Sequence, residues 1–229
     1  VAVLCEARIV GGQIRLHGEA LTAGSLRSAV DASLAPFGLD QPEGNIVSIG
    51  AEAGIPHTQG SSDRALEPSQ SIVIDLYPKR HLFADCTRTF CIGPVPEELG
   101  RAHRLVEKAL AKVSSQARPG GRGADLQAAT CDLFEAEDYV TTRSTPGTTS
   151  GYVHGIGHGV GFELHELPSF RPTDSPDGTL AAGDVVTLEP GLYDPEAGYG
   201  VRLEDLLLVT EDGTENLTPL PYALDPRAW

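Results

Sequence analysis

Methionine is missing from all 229 residues, tryptophan occurs once, and aromatic residues make up only 6% of the chain. The missing methionine extends to position 1, so the expectation is that an upstream segment has been removed or is not represented. The lack of a signal sequence then says little about localisation. No apolar run approaches the roughly 18 residues that a membrane helix needs, which argues against a membrane protein. Basic residues are scarce: 17 Lys and Arg against 32 Asp and Glu leave a formal net charge of -15. That balance excludes a nucleic-acid partner, because phosphate binding needs a basic face. Cysteine is sparse too. Cys5, Cys86, Cys91 and Cys131 form no CxxC pair and no dense framework, so they read as reduced structural thiols in a cytoplasmic chain. Low-complexity tracts and short-period repeats are also absent.

What remains is ordinary for a globular protein: 40% hydrophobic and 21% charged residues, at a length suited to one sizeable domain. The 3.6-residue period predicts a helix over 22–38, capped by Thr22 and stopped at Gly38, with Leu26, Ala29, Val30 and Leu34 on its apolar face. A longer helix is predicted from Pro96 to Ala117, its stripe made by Leu99, Ala102, Val106, Ala109, Leu110 and Val113. A third runs from Ala124 to Glu137. Strands are predicted at 71–77, 82–92, 184–193 and 201–210, where β-branched and aromatic residues are bounded by Gly, Pro and Asp. The first two form a hairpin through residues 78–81. Strands come in pairs with helices between the pairs, which favours α+β over a regular alternating sheet. The loops at 141–150 and 171–183 read as surface connections bordering a cleft.

The informative anomaly is acid inside those strands. Asp and Glu are depleted from strands, and a buried carboxylate must be paired or metal-bound. Asp75 follows Ile72-Val73-Ile74, Asp85 follows Leu82-Phe83-Ala84, Glu189 closes Val185-Val186-Thr187-Leu188, and Arg202 and Glu204 share one face of their strand. Asp85, Thr87 and Thr89 share another by the two-residue period. The excess negative charge has the same two readings: solubility, or ligands whose charge bound cations would offset.

A second anomaly is HGIGHGVGFELHE, residues 154–166, with three histidines and four glycines. His154 and His158 have the i, i+4 spacing of a helical zinc pair. Gly155, Gly157, Gly159 and Gly161 oppose a helix and suit an extended strip approached closely by a ligand or another backbone. In such a strip His154 and His158 lie on one face, and His165 on the other unless a turn or bulge intervenes. A set of several carboxylates and one or two imidazoles favours Mn, Mg or Fe, although Co and Zn can occupy it. Two cations about 3.5–4 Å apart would lower the pKa of a shared water, which is hydrolase chemistry.

In this order the residues resemble the pita-bread metallopeptidases: methionine aminopeptidases, Xaa-Pro aminopeptidases and prolidases. Asp75 in IVIDL, Asp85 in ADCTRTF, His158 in HGIGHGVG, Glu189 in TLEPG and Glu204 in VRLED match the family's Asp, Asp, His, Glu, Glu order. The resemblance implies a curved antiparallel sheet flanked by helices and two divalent metal ions, manganese first, with cobalt, zinc or iron as alternatives. It implies that Asp85 and Glu204 are shared by both metals, that Glu204 assists the bridging water, and that His57 and His165 contact substrate. His154, TRTF at 87–90 and Arg202 look like the Xaa-Pro branch, with His154 and Arg202 orienting ligands or shaping the pocket. The implied substrate is a proline-containing di- or oligopeptide. Residues 1–229 would be a single catalytic domain without the usual N-terminal domain, with a homodimer possible. The alternatives are a methionine aminopeptidase and a non-peptidase relative, either a binding module or a creatinase-like enzyme.

Overall fold

A computed structural model describes residues 1–170 and 178–229. The chain is α+β, as the strand pairs predict, and every strand pairing described is antiparallel. The chain opens with a short helix α1 (Ala2–Glu6) and a meander of β1 (Arg8–Val10), β2 (Gln13–Leu16) and β3 (Glu19–Ala20), none of which the sequence announced. Helix α2 covers Ala23–Leu34. The Thr22 hydroxyl accepts from the Ser25 amide, and the Ser25 hydroxyl accepts from the Thr22 amide, closing a capping box. Its predicted last turn is instead a 3-10 turn, Ala35–Phe37, because Pro36 cannot continue an α-helix, and Gly38 ends it at φ 63°.

A buried strand β4 (Asn45–Ile49) pairs with β5 (Ile72–Leu76), which pairs with β6 (Cys86–Phe90). The predicted hairpin is therefore present, but the 82–92 strand is shorter than expected. Residues 77–85 form a folded connection in which the Ala84 amide donates to Pro78 O and the Phe83 amide to Gly161 O. Asp85 is delivered by that connection rather than by the strand.

Helices α3 (Glu97–Gln116) and α4 (Gly123–Glu135) lie close to prediction, and every residue named for the α3 stripe is buried. Each such Leu or Val contributes roughly 1.5–3 kcal/mol of burial. This stripe packs with Val186, Leu188, Leu192 and Val201 from the sheet, forming the larger core. A second core, including Leu26, Val47, Ile49, Ile72 and Phe90, lies where α2 meets β4–β6.

The remaining strands correct two predictions. Instead of one strand over 184–193 there are β9 (Val185–Leu188) and β10 (Gly191–Asp194), and instead of one over 201–210 there are β11 (Tyr199–Arg202) and β12 (Asp205–Val209). β10 forms a two-stranded sheet with β11, whereas β9 and β12 belong to a five-stranded sheet ordered β13 (Thr214–Asn216), β12, β9, β7 (His158–Gly159), β8 (Glu166–Ser169). Register runs Leu188 to Asp205 and then Gly191 to Arg202, so the antiparallel pair breaks at 189–190 opposite 203–204. Pro190 has no amide hydrogen to offer a ladder, and its carbonyl accepts from the Leu203 amide across the break. Part of the predicted 171–183 loop, residues 171–177, lies outside the described residues. The 141–150 loop is tied to α4 through Arg143 and Glu135, and none of its residues lines the cavities described below.

Candidate metal centre

The two strand breaks present Glu189 and Glu204 side by side, and the β5–β6 hairpin brings Asp75 and Asp85 towards them. Asp75 is opposite Thr87 in the ladder, and the Glu204 amide donates to Thr87 O. Residues on β6 therefore join the hairpin to the break that holds Glu204. Asp85, His158 and Glu204 each offer one ligand atom, all within 4.8 Å of one another. His158 Nε2 is 3.8 Å from Asp85 Oδ2 and 3.6 Å from Glu189 Oε1, too far for hydrogen bonds but suited to atoms facing one cation.

The glycine-histidine strip is extended, not helical. A Cβ on Gly157 would lie 2.0 Å from Thr187 O, and one on Gly159 2.2 Å from Leu167 O. Close backbone approach on both sides therefore accounts for these two glycines. A register shift at His158/Gly159, followed by the turn into β8, carries His165 back over His158, with ring centroids 4.2 Å apart. The bulge thus brings together two histidines that a flat strand would separate. His57, in the left-handed region at φ 62°, stands at the exposed mouth with its ring centroid 5.8 Å from that of His154.

The electrostatics show what this cluster requires. Burial, then the charges of Glu204, Asp75 and Glu189, push the Asp85 carboxyl well above its ordinary value. Burial, then Asp75 and Glu189, do the same to Glu204. Burial moves Glu189 up to about 8, with the Arg202 charge opposing. Burial likewise lowers His158 to about 4 and His154 to about 3, so both are neutral imidazoles near pH 7. The Oδ1 atoms of Asp75 and Asp85 are buried without a hydrogen-bond partner among the described residues. Orphaned carboxylate oxygens beside a neutral imidazole and two further carboxylates fit divalent cations, which would offset the repulsion and satisfy the oxygens.

Behind the cluster, Arg202 is 2% exposed and donates to Asp75 Oδ2 at 2.6 Å, to Thr87 Oγ1 at 3.2 Å and to the Tyr193 hydroxyl at 2.9 Å. Thr87 Oγ1 donates to Glu204 Oε2 at 2.6 Å, and His154 Nε2 lies 2.8 Å from the Tyr193 hydroxyl. Arg202 and His154 are therefore joined through one phenol. Tyr193 escaped the sequence reading because an aromatic residue in a strand reads as core. Thr87 was placed on the correct face, but its bond to Glu204 required the second sheet.

Two adjoining cavities meet here. One of about 640 Å³ is lined by His154, Gly155, Gly157, Leu167 and Phe170, and one of about 210 Å³ by Asp75, Tyr77, Asp85, Gln59 and Glu204. His57, His158, His165 and Glu189 line both. Among the nine residues nominated from sequence, Arg202 alone lines neither.

Comparison with known proteins bears on the fold and the family. The chain is 32% identical over 174 residues to a Xaa-Pro dipeptidase of Pyrococcus furiosus, a match covering 76% of this chain and 46% of that protein. It superposes on the crystal structure of the prolidase from Pyrococcus horikoshii with a TM-score of 0.80 and 30% identity, covering 90% of this chain and 56% of that one. An X-Pro aminopeptidase from Thermotoga maritima gives 0.77 and 28%, covering 89% and 55%. These likenesses establish the pita-bread fold, and the chain spans about half the length of the curated relatives it matches. The model of metallopeptidase family M24 matches residues 14–211, and the chain belongs to that family.

Proposed function

We propose that residues 1–229 are the catalytic domain of a metal-dependent exopeptidase that hydrolyses the bond between an N-terminal residue and a following proline. Asp75, Asp85, His158, Glu189 and Glu204 would hold two divalent cations. The observation that carries this reading is the pair of buried, unpartnered Oδ1 atoms on Asp75 and Asp85, set beside His158 and Glu204. The oxygen-rich donor set favours manganese, with cobalt, zinc or iron as alternatives. Relatives named as Xaa-Pro dipeptidase and X-Pro aminopeptidase support the substrate class.

When bound, the cations supply Lewis acidity and acidify water for hydrolysis. The chain's own residues do the rest. The Thr87 hydroxyl orients the Glu204 carboxylate, which would hold metal and accept a proton from the attacking water as general base. His57, its pKa lowered by desolvation of its ring and then by Arg202, is a neutral N–H donor for the scissile carbonyl, with His165 opposite it. An Xaa-Pro bond is a tertiary amide without an N–H, so recognition through that carbonyl suits it. His154, held from behind by Tyr193 and through it by Arg202, shapes the wall of the larger cavity, which receives the proline-bearing remainder.

The test is turnover of an Xaa-Pro dipeptide and a longer Xaa-Pro peptide beside a Met-Ala peptide, with and without added manganese or cobalt. Metal-dependent cleavage of the proline peptides is expected, and preference for Met-Ala would overturn the assignment. Asp85→Ala is expected to abolish turnover with circular dichroism unchanged; retained activity would contradict the site.

A further inference from the structure

Glu204 occupies an unusual place for a residue that must hold its carboxylate still. It lies in the two-residue break between β11 and β12, so no ladder fixes its backbone. Its amide donates to Thr87 O at 3.1 Å. Its carbonyl accepts from Arg88 Nη1 at 2.6 Å, with the Cys86 thiol a longer donor at 3.5 Å.

Arg88 serves several masters at once. It is 4% exposed, and the same Nη1 also donates to Thr87 O at 2.9 Å. Its guanidinium therefore spans both backbones flanking the Thr87–Glu204 side-chain bond. On its other edge, Nη2 donates to Asp205 Oδ1 at 2.7 Å and to the carbonyls of Thr218 and Leu220 at 3.1 Å, while Nε donates to Pro221 O at 3.0 Å. The Tyr222 ring lies 4.6 Å from the guanidinium carbon, and its hydroxyl bonds Asp205. A planar cation with five N–H groups in a fixed fork can hold acceptors from two directions, which a lysine ammonium on a flexible stem cannot. The chain after β13 is thus strapped across the back of the site through one side chain.

We propose that Arg88 is a positioning residue for the metal centre: it fixes the backbone of Glu204, and so the aim of its carboxylate, using the C-terminal strap as its anchor. This rests on the reading of Glu204 as a metal ligand. A residue important only for folding would lower stability and leave the metal affinity of the folded protein intact. Arg88 acts on both.

The test compares wild type, Arg88→Lys, Arg88→Gln and Tyr222→Phe, each stripped of metal and titrated with manganese by isothermal calorimetry well below its melting temperature. Amide hydrogen exchange of the segment holding residues 203–206 is followed in the same metal-free samples. Both Arg88 variants are expected to bind manganese at least tenfold more weakly and to exchange faster at 203–206. Tyr222→Phe, which removes a hydroxyl bond to Asp205 but leaves every hydrogen bond of Arg88 in place, should bind within about twofold of wild type. Wild-type manganese affinity and exchange in a folded Arg88 variant overturn the proposal. Failure of both Arg88 variants to fold also overturns it, since Arg88 would then be a determinant of folding. Absence of manganese binding by the wild type would instead refute the metal-centre reading itself.

Discussion

Removing metal should invert the pH dependence of stability, because the centre buries acids that prefer to be neutral without a cation. Glu189 moves from an ordinary value of 4.5 to about 8 in the folded chain. The folded state therefore binds a proton more tightly than the unfolded state, and the resulting stability is present at low pH and lost as pH rises through 8. His158 and His154 act oppositely. Their ordinary 6.5 falls to about 4 and about 3, so below pH 6.5 the unfolded chain takes up protons that the folded chain refuses. Between pH 8 and 6.5 the acids act alone. A fall of 1.5 pH units through that window, at about 1.4 kcal/mol per unit, is worth roughly 2 kcal/mol from Glu189. Asp85 and Glu204, shifted in the same direction, add to it. For a chain of this length that corresponds to a rise in Tm of about 4–8 °C. The assay is thermal unfolding by circular dichroism in EDTA at pH 8.5, 7.5 and 6.5, repeated with excess manganese. In EDTA, Tm should climb as pH falls from 8.5 to 6.5. With manganese the trend should reverse, because metal binding requires the ionised carboxylates. A Tm in EDTA that is flat, or higher at pH 8.5 than at 6.5, would refute the reasoning.

Two further outcomes are expected. Gly157→Ala places a methyl 2.0 Å from Thr187 O, and overpacking of this kind costs about 1–3 kcal/mol. Tm should fall by about 2–12 °C, whereas Gly213→Ala, with nothing within 4 Å of its Cβ, should change little; equal melting curves would contradict the close approach. Tyr193→Phe leaves an Arg202 N–H buried without its acceptor, at a cost of about 1–3 kcal/mol. Denaturant unfolding should report that loss while manganese stoichiometry stays unchanged, and unaltered stability would show the phenol to be dispensable.

The elements most legible in the sequence were those with local causes. The α3 stripe repeats every three to four residues over about four turns, and a helix needs no distant partner to declare that period. The acids at the ends of apolar runs were legible for a similar reason, since nothing local explains a carboxylate there. The meander β1–β3 was not: apart from the buried Ile14 its residues are solvent-facing or only partly buried, and carry no clean alternation. The breaks at 189–190 and 203–204 were missed because both halves of each run look equally strand-like. The change of sheet is set by Pro190 and by what lies opposite it. Extending the second hairpin strand back to residue 82 erred similarly, since the 77–85 connection bends to reach Gly161, far along the chain.

Residue type, order and spacing thus carried the chemistry: which carboxylates and histidines are out of place, which glycines rule out a helix, and which family has that order. They could do so because ligand identity is a property of single side chains. Aim and distance belong to the folded chain. His165 reaches His158 through a bulge, Tyr193 couples His154 to Arg202 across two strands, and Arg88 grips a carbonyl 116 residues away. Each depends on a long-range backbone path, and no local pattern encodes where such a path will end.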